Sequence, residues 1–124
     1  MFLWHGWTEN CHSFGIASAF WAEAEARRFV GVITCGFDNS FNAGTCCPPA
    51  IDVADLDDVA YARAIVANIS QHACIDDSHI YSAGFSNGAV RPRRMAVATS
   101  FTSSAPPQRP RHMLCDFTPR APRR

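Results

Sequence analysis

The chain has 124 residues, 48% of them apolar, enough for one ordinary domain with a core and too apolar for a chain disordered from end to end. No apolar run approaches the roughly 20 residues of a membrane-spanning helix, and Met1-Phe2-Leu3-Trp4-His5-Gly6 lacks the basic and apolar regions of a secretory leader. The net charge of zero hides an asymmetry: residues 1–90 carry three Arg against ten Asp and Glu, whereas 91–124 carry eight Arg against Asp116 alone. The two stretches are therefore read separately, 1–90 as a folded domain and 91–124 as a tail.

Residues 1–5 are apolar and read as a buried strand. Residues 6–15 are polar and contain Gly, which predicts a loop. From Ser18, a candidate N-cap, the Ala- and Glu-rich run to Arg28 predicts a helix. Phe20, Trp21 and Ala24 would share its apolar face, and Arg27 and Arg28 would close its last turn. The β-branched run Phe29–Thr34 predicts a second buried strand. Cys35 to Ile51, with its Gly, Asn and Pro, predicts a long loop of the kind that often carries function.

Asp55 to His72 is the clearest helix, with Asp55, Asp57 and Asp58 at its start and Val59, Ala62, Ile65, Val66 and Ile69 at helical spacing. Asp57 and Asp58 are accordingly read as helix-dipole partners and not as catalytic acids. Asp76-Asp77-Ser78 marks a turn, and His79–Ala83 a third strand. Strands alternating with helices predict an α/β fold around a parallel sheet. Residues 91–124 hold six of the eight Pro and no sustained apolar period, which predicts an extended, disordered tail.

The third strand runs into Gly84-Phe85-Ser86-Asn87-Gly88, a G-x-S-x-G. A serine hydroxyl is a weak nucleophile unless it is held clear of the backbone. A tight strand-to-helix turn does that, and flanking glycines let the chain pass close to itself. After the first strand, His5-Gly6-Trp7-Thr8-Glu9-Asn10 has the character of a loop that supplies one oxyanion-stabilising N–H, at Trp7, with Asn87 supplying the other. His5 precedes the nucleophile and is read as shaping this loop.

With these pieces placed, residues 1 to about 90 resemble the esterase family of polyhydroxybutyrate depolymerases and of feruloyl and acetylxylan esterases. The matching segments are His5–Asn10, Phe41-Asn42-Ala43-Gly44-Thr45-Cys46-Cys47, the helix entered through Asp57-Asp58-Val59, and Ile80–Ala89. The resemblance implies part of an α/β-hydrolase core, a Ser-His-Asp mechanism without cofactor or metal, and a small or polymeric carboxylic ester substrate handled outside the cell. It makes Ser86 the nucleophile and the Trp7 and Asn87 amides the oxyanion donors. It places His5, Gly6, Trp7 and Phe85 along the substrate.

The six cysteines have no C-x₂-C spacing, so they point to disulfides in a secreted lineage and not to zinc. Adjacent Cys46 and Cys47 are expected to pair elsewhere, with Cys11, Cys35 or Cys74, or to stay reduced. After Ser86 the one acid is Asp116 and the one histidine His112, the reverse of the usual triad order. The triad Asp and His, and the edge strands of a whole hydrolase, are thus expected to be missing. Pro92 interrupts the helix due after the nucleophile, as a shifted reading frame or a splice variant would produce. The alternative function is a binding variant of the same fold that does not turn over. The arginines of the tail lack interleaved aromatics, and no nucleic-acid or membrane partner is expected.

Overall fold

A computed structural model describes residues 1–90. The stretch 91–124, with its expected tail, His112 and Asp116, lies outside the described residues. Three strands, β1 (Phe2–Trp4), β2 (Val32–Thr34) and β3 (Ser82–Gly84), form a parallel sheet in the order β2-β1-β3. Helices α1 (Cys11–Ala17) and α2 (Phe20–Arg27) connect β1 to β2, and α3 (Asp58–Ile69) lies on the way from β2 to β3. The protein is therefore of mixed α/β class.

The central strand carries Phe2 and Trp4, both almost wholly buried, because a middle strand of a parallel sheet is covered on its faces. Phe2 and Trp4 join Phe41 and Ala62 in the core, and Val32, Val59, Ile65, Val66 and Ile80 pack around them. Ala62 brings α3 into this cluster, in which the Trp4 and Phe41 rings meet edge to face at 5.1 Å.

The register Phe2↔Val32, Trp4↔Thr34 on one side and Phe2↔Ser82, Trp4↔Gly84 on the other sets all three C-terminal strand ends at one edge. The strands are shorter than the apolar runs suggest. Residues 29–31 and 79–81 extend beyond the reach of a three-residue central strand. Asp77–His79 instead forms a 3₁₀ turn capped by the Asp76 side chain, which accepts the Ser78 N–H.

Two expectations are corrected between β1 and β2. Residues 11–15, read as loop, belong to α1, because the Asn10 side chain accepts the His12 and Ser13 N–H groups as an N-cap. Gly15 lies inside that helix for a packing reason: a Cβ there would come within 2.4 Å of Ile33 Cδ1. Ser18 caps the end of α1 and not the start of α2, which begins after Ala19 in a left-handed conformation (φ 53°).

On α2, Phe20 and Ala24 are buried but Trp21 is half exposed. Neighbouring helical positions differ by about 100°, and Trp21 falls at the edge of the buried face. At the start of α3, Asp57 accepts the Val59 and Ala60 N–H groups, which begins the helix three residues later than its acidic run.

A disulfide joins Cys11 at the start of α1 to Cys35 just after β2, with Cα atoms 5.0 Å apart. Cys46 and Cys47 are joined to each other, correcting the expectation that each pairs elsewhere. Trp4→Ala removes the largest fully buried side chain, and should cost about 3–5 kcal/mol. In a domain this small, urea titration followed by circular dichroism should find that variant unfolded without denaturant.

Candidate active site

Because β1 and β3 are neighbours in parallel register, the segments that leave their C-terminal ends emerge side by side. Such an edge is where ligands bind in open α/β sheets. From β3 comes Phe85, whose N–H donates to Trp4 O (3.0 Å), and then a 3₁₀ turn over Ser86–Ala89. Ser86 is at φ 50°, in the left-handed region, and is solvent-exposed. Non-glycine residues take that conformation only when their surroundings over-determine it, and such strain gathers at functional sites.

The surroundings here are specific. A Cβ at Gly84 would lie 2.5 Å from Gly88 O, and one at Gly88 would lie 2.4 Å from His5 O and 2.5 Å from Trp4 O. Both glycines are thus dictated by backbone passing against backbone. The turn around Ser86 is pressed onto the end of β1, and the serine has little freedom to relax.

From β1 comes His5, fully buried, with both ring nitrogens engaged: Nδ1–H donates to Gly6 O (2.7 Å) and Nε2 accepts the Gly36 N–H (3.0 Å). This pattern fixes the tautomer, ties the loop after β1 to the loop after β2, and leaves no nitrogen for proton transfer. The His5 ring, placed along the substrate by the resemblance, is fully buried among the described residues. Gly6 is buried too, and its missing Cβ leaves room for the Glu9 carboxylate and the Phe85 ring. Trp7 is about half exposed and Phe85 more so, and the Trp7 indole N–H donates to Pro48 O (2.7 Å).

The two N–H groups read as oxyanion donors share a feature that sequence cannot show. Neither the Trp7 N–H nor the Asn87 N–H has an acceptor among the described residues. Asn87 is 4% exposed, and buried N–H groups are rarely left without a partner. Its side chain, by contrast, is fully used: Oδ1 accepts the Phe41 N–H (2.9 Å) and Nδ2 donates to Phe41 O (3.0 Å). Asp58 in turn accepts the Asn42 N–H (2.9 Å). The residue after the candidate nucleophile is thus anchored to a loop that α3 holds. The segment Phe41-Asn42 was legible as a motif, but its service to Asn87 was not.

The other histidines stand elsewhere. His12 is exposed on α1, and His72 is exposed beyond the end of α3. His79 sits before β3, at the opposite end of the sheet from Ser86, where its Nδ1 lies 2.7 Å from Asp76 Oδ2. Asp76, Ser78 and His79 resemble a triad in composition only. The Ser78 hydroxyl donates to Asp76 Oδ1 (2.5 Å) within an exposed turn. That hydroxyl, then His79 and the Ser78 N–H, hold the Asp76 carboxyl below its ordinary value. Among the described residues no group of His, Cys, Asp and Glu could hold a metal ion, and no helix is long and apolar enough to cross a membrane.

No family model and no solved structure matches the chain. Over 49 residues, 40% of its length, it is 41% identical to feruloyl esterase B of Piromyces equi. The chain spans 8% of the length of that relative. The likeness is local and hints at an esterase.

Gly88→Ala should cost about 2–3 kcal/mol or more, because the contacted atoms are backbone and cannot swing aside; thermal unfolding followed by circular dichroism measures it. For Asp76, a depressed folded value means that its contribution is present above the ordinary carboxylate range and fades as pH falls through the depressed value. In Ser78→Ala the Asp76 carboxyl should titrate closer to its ordinary value, as read by carbon-13 NMR.

Proposed function

We propose that this chain carries the nucleophile and the oxyanion site of a serine-dependent carboxylic ester hydrolase, of the feruloyl esterase and polyhydroxybutyrate depolymerase kind. The observation that carries this reading is Ser86 itself: a strained, exposed serine at the C-terminal end of β3, held between two glycines that nothing larger can replace. The Trp7 and Asn87 N–H groups, which have no acceptor among the described residues, support it, as does the local likeness to a feruloyl esterase.

In this reading Ser86 Oγ attacks the ester carbonyl carbon. The C=O electrons move to the oxygen, which the Trp7 and Asn87 N–H groups receive. Collapse expels the alcohol and leaves an acyl-serine for water to cleave. Donors fixed before the reaction stabilise the developing charge without reorganising, and one such donor is worth about 10²–10³ in kcat. Exposed Trp7 and Phe85 would flank the acyl or alcohol portion. Both His5 nitrogens are engaged, so in this chain the Ser86 proton passes to solvent water and the departing alkoxide takes a proton from it. A binding variant that does not turn over is the second reading, favoured by the engagement of both His5 nitrogens. The Cys11–Cys35 disulfide favours an oxidising, extracellular setting for either.

Hydrolysis of p-nitrophenyl acetate by the purified chain, beside Ser86→Ala, tests the proposal. With the triad Asp and His expected to be missing, weak turnover that is lost in Ser86→Ala is the expected result. Equal and measurable rates in the two proteins would remove Ser86 as the nucleophile, and measurable ester binding without turnover would favour the second reading.

A further inference from the structure

We propose that Glu9 is the residue that positions the Trp7 oxyanion donor, by capturing the neighbouring Gly6 N–H; this rests on the esterase reading above. Gly6-Trp7-Thr8-Glu9 forms a turn closed in both directions. The Glu9 N–H donates to Gly6 O (3.3 Å), and the Glu9 carboxylate accepts the Gly6 N–H (2.5 Å). The Thr8 N–H donates to Asn39 O (2.9 Å). Three of the four N–H groups of the turn are thereby consumed. The fourth, at Trp7, has no acceptor among the described residues.

The turn is also held from outside. Gly6 O accepts from His5 Nδ1 (2.7 Å), and the Trp7 indole is fastened to Pro48 O. Thr8 stands at φ 66°, a conformation that a β-branched residue leaves when released. The Glu9 bond to Gly6 is therefore what keeps the Trp7 amide plane from following Thr8 back to an ordinary conformation. It also withdraws the Gly6 N–H, which would otherwise be a competing donor in the same loop. Gly6 has no Cβ for the same reason: one built there would stand 2.8 Å from Glu9 Oε2.

The bond needs an acceptor oxygen at the reach of a Glu side chain, and the proposal separates reach from charge. Asp keeps the charge but is one methylene short. Gln keeps the reach and an acceptor oxygen but has no charge. The probe is phenylboronic acid, which accepts Ser86 Oγ at boron: an O–B bond forms, the serine proton passes to solvent, and boron becomes tetrahedral and anionic, with oxygens that call on the Trp7 and Asn87 N–H groups. The full chain and its Glu9→Asp, Glu9→Gln and Ser86→Ala variants are titrated with it, followed by boron-11 NMR, with thermal midpoints recorded for each.

The tetrahedral signal should vanish in Ser86→Ala. In Glu9→Asp the adduct should weaken at least tenfold, while Glu9→Gln should stay within about threefold of the parent chain. A split in that direction at similar thermal midpoints is what a merely structural acid would not produce. Equal affinity in Glu9→Asp and the parent, or equal losses in Glu9→Asp and Glu9→Gln, would overturn the role of Glu9 and leave Ser86 in place. Absence of a tetrahedral signal in the parent, or its survival in Ser86→Ala, would instead overturn the nucleophile reading and this inference with it.

Discussion

Everything at the candidate site depends on one close approach, the backbone of Gly88 against the carbonyls of Trp4 and His5. Parallel pairing of β1 with β3 brings their C-terminal ends level, but pairing alone would leave the following segments to diverge. The absence of a side chain at Gly88 lets the 3₁₀ turn fold back onto the end of β1. That contact holds the left-handed conformation of Ser86, and it sets the Asn87 side chain against the loop after β2. The energy that pins a strained residue here is van der Waals and hydrogen-bonding energy gathered from neighbouring segments.

A second layer of polar contacts turns three loops into one platform. His5 links the loop after β1 to Gly36, Asn87 links the turn after β3 to Phe41, and Asp58 links Asn42 to α3. His5, Asn87 and Asp58 are each buried. Buried polar groups of this kind stabilise one arrangement strongly because any other would leave them unpaired. The Trp7 and Asn87 N–H groups, without an acceptor among the described residues, lie on this platform. The outer sides of β2 and β3, by comparison, have no strand partner among the described residues, a feature of a core that is small for its fold class.

Much of the organisation was legible along the chain. The β-branched run before Cys35, the Asp-led helix with its apolar period and the strand entering Gly84 each has a local cause, and each appears within a few residues of its expected place. The misses have local causes too. α1 was hidden because Gly15 reads as loop-forming when its real task is to let Ile33 approach. Trp21 was assigned to the core by hydrophobicity, yet helix geometry turns it toward solvent. Residues 79–81 look like strand, but a strand needs a partner, and β1 is three residues long.

By itself, the sequence determined the alternation of strands and helices, the acidic start of α3 and the local setting of Ser86 between glycines. These follow from propensity, period and steric permission, which act over a few neighbouring residues. Tertiary structure alone decided that His5 spends both nitrogens on backbone, that Asn87 grips Phe41 across 46 residues of chain, and that Glu9 closes the Gly6 turn while the Trp7 N–H finds no acceptor among the described residues. Those outcomes depend on which segments the sheet register brings together, and no local pattern encodes the position of a distant carbonyl.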